Sequence, residues 1–276
     1  MNRHYLAFAT IAVSTLGFSA CTSQHQASKE QLTETSATVM ASQDSPSSHH
    51  PKWSYEGSTG TEYWGDVEGA STCKTGKQQS PINITKVTSS SAATPVIDYA
   101  KTTDVRIHDN GHTVVYTPTT ENNAIILDNE RYVLKQFHYH TPSEHQFGSQ
   151  NYPGEIHFVH ANSEGALAVV GVMLKIGEAN DMLRVLLDGT EITTQNDDEF
   201  TANDVDLSTL APVMATFYHY SGSLTTPPCS EKVQWYVSKQ PLTLTSDQFK
   251  IMSDLYEGNN RPIQPQGSRK VEQLSN

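Results

Sequence analysis

The feature that most constrains the fold is a series of short runs rich in branched and aromatic residues, each bounded by turn sequences. Such residues favour extended strands, whereas glycine, asparagine and aspartate favour the turns between strands. The runs are HTVVYT, NAIIL, RYVLKQFHYH, EIHFVHA, ALAVVGVML and VQWYVS. The turns include DNG, LDNE and NSEG, and the segment from NAIIL to RYVL is typical of a hairpin. We therefore predict one mostly-β domain.

Helices are predicted in only two segments. The first is NDMLRVLLDG, which begins with acidic residues and is predicted to end at Gly189. The second is TSDQFKIMSDLYEG, in which Thr245 and Gln248 form a capping-box pattern and Gly258 marks the end. Helices are therefore expected to be few.

The N-terminal residues 1–21 have the pattern of a secretory signal peptide. Arg3 precedes an apolar run over residues 6–18, which is too short to span a bilayer. The run ends in small residues and Cys21, an ending that resembles a lipoprotein signal. We expect export to the periplasm, with Cys21 either lipidated and tethering the protein to a membrane or merely close to an ordinary cleavage site.

Residues 22–51 differ in composition from the rest of the chain. They contain eleven serine or threonine residues and no phenylalanine, tryptophan or tyrosine. Such a segment cannot bury enough apolar surface to order itself, so we predict a disordered tether. The globular, catalytic domain is expected over residues 52–276.

The chain has three cysteines and a formal net charge of −12. If Cys21 carries lipid, Cys73 and Cys229 remain, and an oxidising compartment would let them pair. Two buried free thiols are the alternative, and the export signal favours the disulfide. The acidic surface gives no attraction for phosphate backbones, so no nucleic-acid partner is expected.

The sequence KQFHYH carries the first candidate metal ligands. On a strand, Gln136, His138 and His140 point to one face, and Phe137 and Tyr139 point to the other. A His-x-His spacing on one strand face suits two imidazole ligands of a single zinc ion. Gln136 could hold the far ring nitrogen of His138.

The sequence EIHFVHA supplies the third candidate ligand. Glu155, His157 and Val159 share one face, whereas His160 lies on the other and is predicted to be structural. We take His157 as the third ligand of a three-histidine zinc site with an open fourth position. Two histidines with Glu155 as a carboxylate ligand remain the alternative, which would suit iron better. Otherwise Glu155 can hold the far ring nitrogen of His157.

Several motifs together resemble α-class carbonic anhydrases. In chain order these are KQQSPINI, NGH, QFHYH, SEH, EIHFVH, LAVVGVMLK, SGSLTTPPC and RPIQP, and they run from about Trp53 to Gln266. The resemblance implies a single domain around a large central, mainly antiparallel twisted β-sheet with a few peripheral short helices. It also implies reversible hydration of carbon dioxide to bicarbonate and a proton by a zinc-bound hydroxide, with Zn²⁺ on His138, His140 and His157.

The resemblance assigns the catalytic roles. Thr225 would accept a hydrogen bond from the hydroxide and donate its own hydroxyl proton to Glu144 in a second hydrogen bond. The residues alone instead indicate Glu144 as a turn carboxylate on the surface. His112 resembles the proton shuttle, although the sequence alone favours an ordinary exposed histidine after a turn. Thr226 resembles a hydroxyl on the substrate side.

The resemblance also names the surroundings of the site. Asn259 would offer its carbonyl to His140. Tyr55 would belong to the solvent network, and an apolar wall for carbon dioxide would comprise Val159, Val169, Leu224 and Trp235. The pair Cys73 and Cys229 resembles the disulfide of extracellular members, and the Ser80–Pro81 and Pro227–Pro228 bonds resemble the family's cis peptides.

The expected partners are carbon dioxide and bicarbonate, together with sulfonamide and anion inhibitors. Both a monomer and a homodimer remain open. A catalytically silent carbonic-anhydrase-like binding protein is one alternative, although all three histidines, Glu144 and Thr225 are present. A zinc-dependent esterase is a second alternative, and a zinc store that uses His49 and His50 is a third, which metal stoichiometry would distinguish.

Overall fold

The computed structural model describes residues 53–196, 199–211 and 215–275. The predicted signal peptide over residues 1–21, with Cys21, and the predicted tether over residues 22–51 lie outside the described residues. Among the helices of the described part, none is long and apolar enough to cross a membrane.

The described chain consists mainly of strands. The strands are β1 (Asn83–Ile84), β2 (Thr88–Ser89), β3 (Val96–Asp98), β4 (Thr103–Asp109), β5 (Val114–Pro118), β6 (Ala124–Leu127), β7 (Glu130–His140), β8 (Gln146–Phe147), β9 (Gly154–Ala161), β10 (Leu167–Ile176), β11 (Phe200–Val205), β12 (Phe217–Ser223), β13 (Glu231–Ser238), β14 (Leu242–Leu244) and β15 (Glu272–Leu274). The α-helices are α1 (Thr72–Thr75), α2 (Asp181–Asn196) and α3 (Ser246–Leu255), and short 3-10 helices span Gly57–Thr59, Thr61–Asp66 and Leu207–Thr209.

One large twisted sheet dominates the described residues. Its main path runs β11-β4-β5-β7-β9-β10-β13-β12-β15-β2, with β3, β6 and β14 attached beside it. Most neighbours are antiparallel, whereas the pairs β10–β13, β10–β14 and β15–β2 are parallel. Strands β1 and β8 form a separate parallel pair. The predicted mostly-β class with few helices is confirmed.

The predicted hairpin is formed by β6 and β7. Ala124 pairs with Val133 at its open end, and Leu127 pairs with Glu130 next to the turn. The two turn residues, between Leu127 and Glu130, both have positive φ angles, 48° and 66°. These angles match a type I′ turn, for which the sequence Asp-Asn is suited.

The predicted helix boundaries are only partly correct. The capping box of Thr245 and Gln248 is confirmed at the start of α3. The prediction that α2 ends at Gly189 is wrong, because the helix continues to Asn196. A Cβ atom at Gly189 would lie 2.6 Å from Ile107 Cδ1 and 2.8 Å from Phe200 Cδ1. This glycine therefore allows α2 to pack closely on β4 and β11 and does not end the helix.

The central strands have one face packed under the helices, and we call this the core face. The rings of Tyr116 and Phe137 stack at 4.9 Å between centroids, and those of Phe137 and Phe158 at 5.3 Å. Leu186 of α2 and Met252 of α3 belong to the same buried cluster. Apolar side chains thus fill the core face, and the opposite face, which we call the site face, carries the candidate ligands.

The disulfide and the cis peptides follow the expectations. Cys73 and Cys229 are joined, which ties α1 to the loop between β12 and β13. The Ser80–Pro81 and Pro227–Pro228 bonds are cis, and a third cis bond, Thr141–Pro142, was not predicted.

Candidate active site

Strand pairing brings the three candidate ligands together on the site face. His138 of β7 lies opposite His157 of β9, and His140 lies opposite Glu155 in the same ladder. One ring nitrogen from each of the three histidines lies within 4.8 Å of the others. The geometry therefore assembles the histidine cluster that strand alternation predicted.

Hydrogen bonds to the outer ring nitrogens orient two of these imidazoles. His138 Nδ1 donates to Gln136 Oε1 at 2.8 Å, and His140 Nδ1 donates to the backbone oxygen of Asn259 at 2.5 Å. Both rings therefore present Nε2 to the cluster. His140 Nε2 is buried and has no hydrogen-bond partner.

The third imidazole uses the opposite nitrogen. His157 Nε2 lies 3.1 Å from Glu155 Oε1, so Nδ1 is the nitrogen left for the cluster. Burial lowers the pKa of His138 and of His140, which keeps both rings in the neutral form that binds metals. Three converging imidazoles with an unpartnered buried nitrogen match the donor set of a catalytic zinc site.

Glu155 is held by several donors. Its Oε2 accepts from the backbone nitrogens of Glu144 at 3.0 Å and His145 at 2.8 Å, and its Oε1 accepts from His145 Nδ1 at 2.8 Å. Burial alone would raise the pKa of Glu155, but His145 and His157 hold it well below its usual range. These contacts favour Glu155 as an orienting group for His157 over the alternative of a metal ligand.

Sequence reasoning assigned no role to His145. This residue is fully buried, and its Nε2 accepts from Tyr220 Oη at 2.7 Å while Nδ1 binds Glu155. His145, Glu155 and His157 also have the spacing of a metal group. The hydrogen bond between His145 and Glu155 and the 3.1 Å approach of His157 Nε2 to Glu155 Oε1 account for that proximity. Because His145 follows a turn, strand alternation could not have placed it.

Glu144 points into the histidine cluster. Its Oε1 accepts from the backbone nitrogen of Arg261 at 2.7 Å. Its Oε2 has no hydrogen-bond partner and lies 3.5 Å from His140 Nε2 and 3.8 Å from His157 Nδ1. The alternative of a surface turn carboxylate is wrong, because the side chain is buried.

Thr225 and Thr226 lie in the loop between β12 and β13. Thr225 is buried, and Thr226 lines the cleft above the histidines. The expected hydrogen bond from Thr225 to Glu144 is not among those formed by the described residues. The unpartnered Oε2 of Glu144 is the oxygen left to accept it.

A cleft leads from the histidine cluster to the surface. Its lining residues are Trp53, Tyr55, Asn110, His112, Thr113, Val115, Gln136, His138, His140 and Thr226. The His112 ring stacks on Trp53 with 3.5 Å between centroids and 4° between planes. Burial lowers the pKa of His112, and the charge of Asp109 opposes part of that shift.

The residues expected to form the apolar wall pack in one cluster. Val169 pairs with Val159 on one side and with Trp235 on the other. Val169 and Trp235 are buried, and Val159 and Leu224 pack against them half-buried. The Trp235 ring lies 4.8 Å from the His157 ring, so this cluster adjoins the candidate metal site.

A protein-family model described as eukaryotic-type carbonic anhydrase matches residues 59–275. The chain belongs to this family. Carbonic anhydrases are lyases, and the family supports hydration of carbon dioxide as the reaction.

Curated bacterial carbonic anhydrases are similar to the chain. The carbonic anhydrase of Klebsiella pneumoniae is 41% identical over 225 residues, which cover 79% of this chain and 89% of that protein. The carbonic anhydrase of Pectobacterium atrosepticum is 38% identical over 222 residues, with the same coverage of 79% and 89%.

Solved structures show the same fold. The α-carbonic anhydrase of Thermovibrio ammonificans, in complex with the inhibitor sulfanilamide, has a TM-score of 0.73 at 36% identity and covers 80% of this chain and 98% of its own. Dioscorin in complex with ascorbate has a TM-score of 0.75 at 28% identity and covers 81% and 98%. The fold thus occurs both in a carbonic anhydrase and in a protein whose structure holds ascorbate.

Proposed function

We propose that the chain is a zinc enzyme that catalyses reversible hydration of carbon dioxide to bicarbonate and a proton, with His112 as the proton shuttle. One observation carries the proposal. Three imidazoles converge beside a cleft, with the outer nitrogens of His138 and His140 hydrogen-bonded to Gln136 and Asn259 and that of His157 lying 3.1 Å from a Glu155 oxygen.

The donor set fits Zn²⁺, which His138 Nε2, His140 Nε2 and His157 Nδ1 would hold. Bound zinc would supply a coordinated water whose pKa lies far below that of bulk water, at about 7, as established for carbonic anhydrase itself. The hydrogen bonds to the outer nitrogens of His138 and His140 fix the tautomer and direction of those two rings, and Glu155 Oε1 lies 3.1 Å from the outer nitrogen of His157, so the ligands need little rearrangement on binding.

The protein's own residues provide the remaining parts of the reaction. The cluster of Val159, Val169, Leu224 and Trp235 offers an apolar surface beside His157 for carbon dioxide, which has no net charge. Glu144 Oε2 is unpartnered and fixed by the bond of Oε1 to Arg261. It is the oxygen left to accept from Thr225, a bond that would orient the threonine oxygen toward the reacting oxygen.

The need for a shuttle follows from rates. An acid with a pKa of about 7 releases its proton to water at only about 10³ s⁻¹, given recombination near the diffusion limit. A turnover of about 10⁶ s⁻¹ is established for carbonic anhydrase. A titrating group in the cleft must close this gap, and His112 lines the cleft.

The first experiment compares His112→Ala with the unchanged protein by stopped-flow hydration of carbon dioxide in weak buffer, after an assay of bound zinc. We expect one zinc per chain in both proteins and a fall in turnover of roughly 10²- to 10³-fold in the variant, because proton release to water alone is limited to about 10³ s⁻¹ and general acid–base groups contribute about 10² or more. Added imidazole should restore the rate.

The matched control is His219→Ala. His219 lies on β12, with Nε2 on Gln234 Oε1 at 3.0 Å, and does not line the cleft. Its loss should leave turnover unchanged at every buffer concentration. Unchanged turnover of His112→Ala in weak buffer would reject the shuttle role but not the hydration activity.

A binding protein without catalysis is the second candidate, and the likeness to dioscorin is the observation that favours it. The same experiment separates the two functions. Bound zinc without hydration by the unchanged protein would mean that the histidine cluster is correctly identified and the enzymatic function is not.

We further propose that the protein is exported to the periplasm and is inhibited by sulfonamides. The disulfide between Cys73 and Cys229 supports an oxidising compartment. The sulfanilamide complex of the Thermovibrio ammonificans enzyme supports the inhibitor class. The mass of the mature N-terminus would distinguish lipidation of Cys21 from ordinary cleavage.

A further inference from the structure

The turn that carries His112 is organised by two side chains at the end of β4. Asp109 Oδ1 accepts from the backbone nitrogen of Gly111 at 2.8 Å. Asn110 Oδ1 accepts from the backbone nitrogens of His112 and Thr113, both at 2.9 Å. Such local bonds define the shape of the turn but do not fix its position relative to the histidine cluster.

The end of α3 supplies that connection. Tyr256 directly follows the helix, and its backbone nitrogen caps it by donating to Met252 O at 3.1 Å. Its hydroxyl reaches across 147 positions of sequence and donates to Asp109 Oδ1. Burial, followed by the hydrogen bond to Asp109 and the charge of Asp109, raises the pKa of Tyr256, so the phenol remains protonated and remains a donor.

The same segment is bound to the strand that carries the ligands. Thr141 Oγ1 donates to the backbone oxygen of Tyr256, and Gly258 N donates to Thr141 O at 2.6 Å. The side chain of Asn259 accepts from Thr141 N at 2.8 Å and donates to His112 O at 3.2 Å. Its backbone oxygen accepts from His140 Nδ1. Residues 256–259 therefore contact both the His112 turn and the metal strand.

We propose that Tyr256 and Asp109 form a clasp that positions the His112 turn for proton transfer. The inference rests on the proposed hydration activity. Both are positioning residues, since neither contacts the reacting atoms: Tyr256 contacts Asp109, and Asp109 holds the turn that carries His112, besides opposing by its charge part of the lowering of the His112 pKa. Asn259 provides a second attachment, through the backbone of His112, so removal of the clasp should loosen the turn without unfolding it.

The test is Tyr256→Phe, which removes only the hydroxyl. The loss of one hydrogen bond should shift the equilibrium between the positioned and the loosened turn by roughly fivefold toward the loosened turn. Turnover in weak buffer should therefore fall by about that factor. The value of kcat/KM for carbon dioxide should stay unchanged, because proton removal limits turnover and not the encounter with substrate. Saturating imidazole should restore kcat.

The matched control is Tyr132→Phe on β7. Tyr132 also donates its hydroxyl to a carboxylate, Glu130 Oε2 at 3.3 Å, but it does not line the cleft. If Tyr256→Phe and Tyr132→Phe have the same turnover in weak buffer while His112→Ala is still slow, the clasp is wrong and the shuttle role of His112 stands.

Two Asp109 variants separate position from charge. Asp109→Asn keeps an oxygen that can accept from Tyr256 and Gly111, and it should keep most of the rate, whereas Asp109→Ala should fall at least as far as Tyr256→Phe, because it also removes the bond to Gly111 N. If Asp109→Asn falls as far as Asp109→Ala, the carboxylate acts by its charge and the positioning role is wrong.

The double variant His112→Ala/Tyr256→Phe should be no slower than His112→Ala alone, because the clasp acts through His112. A further fivefold loss in the double variant would show an independent role for Tyr256 and overturn the inference. If His112→Ala itself is fully active in weak buffer, the proposed shuttle fails, and with it the inference.

Discussion

The two faces of β5, β7 and β9 differ completely in chemistry although they share one backbone. On the site face, His138 pairs with Val115 on one side and with His157 on the other. On the core face, one residue along, Phe137 takes the equivalent place between Tyr116 and Phe158. A slip of one residue in register would exchange the faces, so the aromatic packing also holds the ligands in place.

The strongest test of this comparison makes the same substitution on each face. His140→Gln removes a converging nitrogen from the site face, and His160→Gln changes a buried histidine on the core face. We expect His140→Gln to lose tight zinc binding and with it the rate enhancement, which is on the order of 10⁶-fold or more for enzymes. His160→Gln should keep one zinc per chain and most of its activity.

Zinc content by atomic absorption and hydration by stopped flow would decide this comparison. Retention of tight zinc by His140→Gln would mean that the site face does not hold the metal as proposed. Loss of zinc from folded His160→Gln would mean that the two faces are not independent.

The second test removes aromatic packing from the core face. Phe137 is 2% exposed and stacks on two rings, so Phe137→Ala should lower the free energy of unfolding by about 3–5 kcal/mol. Val115→Ala, on the site face and lining the cleft, should cost less, about 1–2 kcal/mol. Denaturant unfolding of the two variants would check the order, and a larger loss for Val115→Ala would contradict it.

Strand alternation predicted much of the site because the face to which a side chain points depends only on its position relative to nearby residues of the same strand. The face of Gln136, His138 and His140 followed from their spacing alone. The structure shows why this succeeded only locally: a register shift in β7 falls between Leu134 and Gln136. Leu134 and Phe137 are both buried in the core, although regular alternation would place them on opposite faces of the strand. No pattern in the sequence marked that irregularity.

The groups that sequence reasoning missed are bound through contacts between distant parts of the chain. Glu144 is buried, and its Oε1 accepts from the backbone nitrogen of Arg261, 117 positions away. His145 is held by Glu155 and by Tyr220, which is 75 positions away. At Gly189, α2 packs closely on Ile107 of β4 and Phe200 of β11, which lie far from it in the sequence. Local propensity contains none of this information, whereas the family resemblance supplied the role of Glu144.

The smallest expected effect concerns pH and again separates the faces. His160 on the core face accepts from Tyr99 Oη at 2.6 Å and donates Nδ1 to Ala168 O at 3.3 Å, so its neutral ring has both nitrogens bonded. Burial lowers the pKa of His160 to about 3, against about 6.5 in the unfolded chain. Above pH 6.5 both states are neutral at this position, and the residue adds no pH dependence.

Below pH 6.5 the unfolded chain binds a proton at position 160 that the folded chain does not, so stability falls as the pH falls toward 3. The contribution is about 1.4 kcal/mol per pH unit. His160→Gln cannot titrate, so its unfolding free energy should decline less steeply between pH 6 and pH 5 by about that amount. Denaturant unfolding at the two pH values, with excess zinc throughout, would measure the difference. Equal slopes would mean that His160 is protonated in the folded state and that the core face tolerates a charge that its packing is expected to exclude.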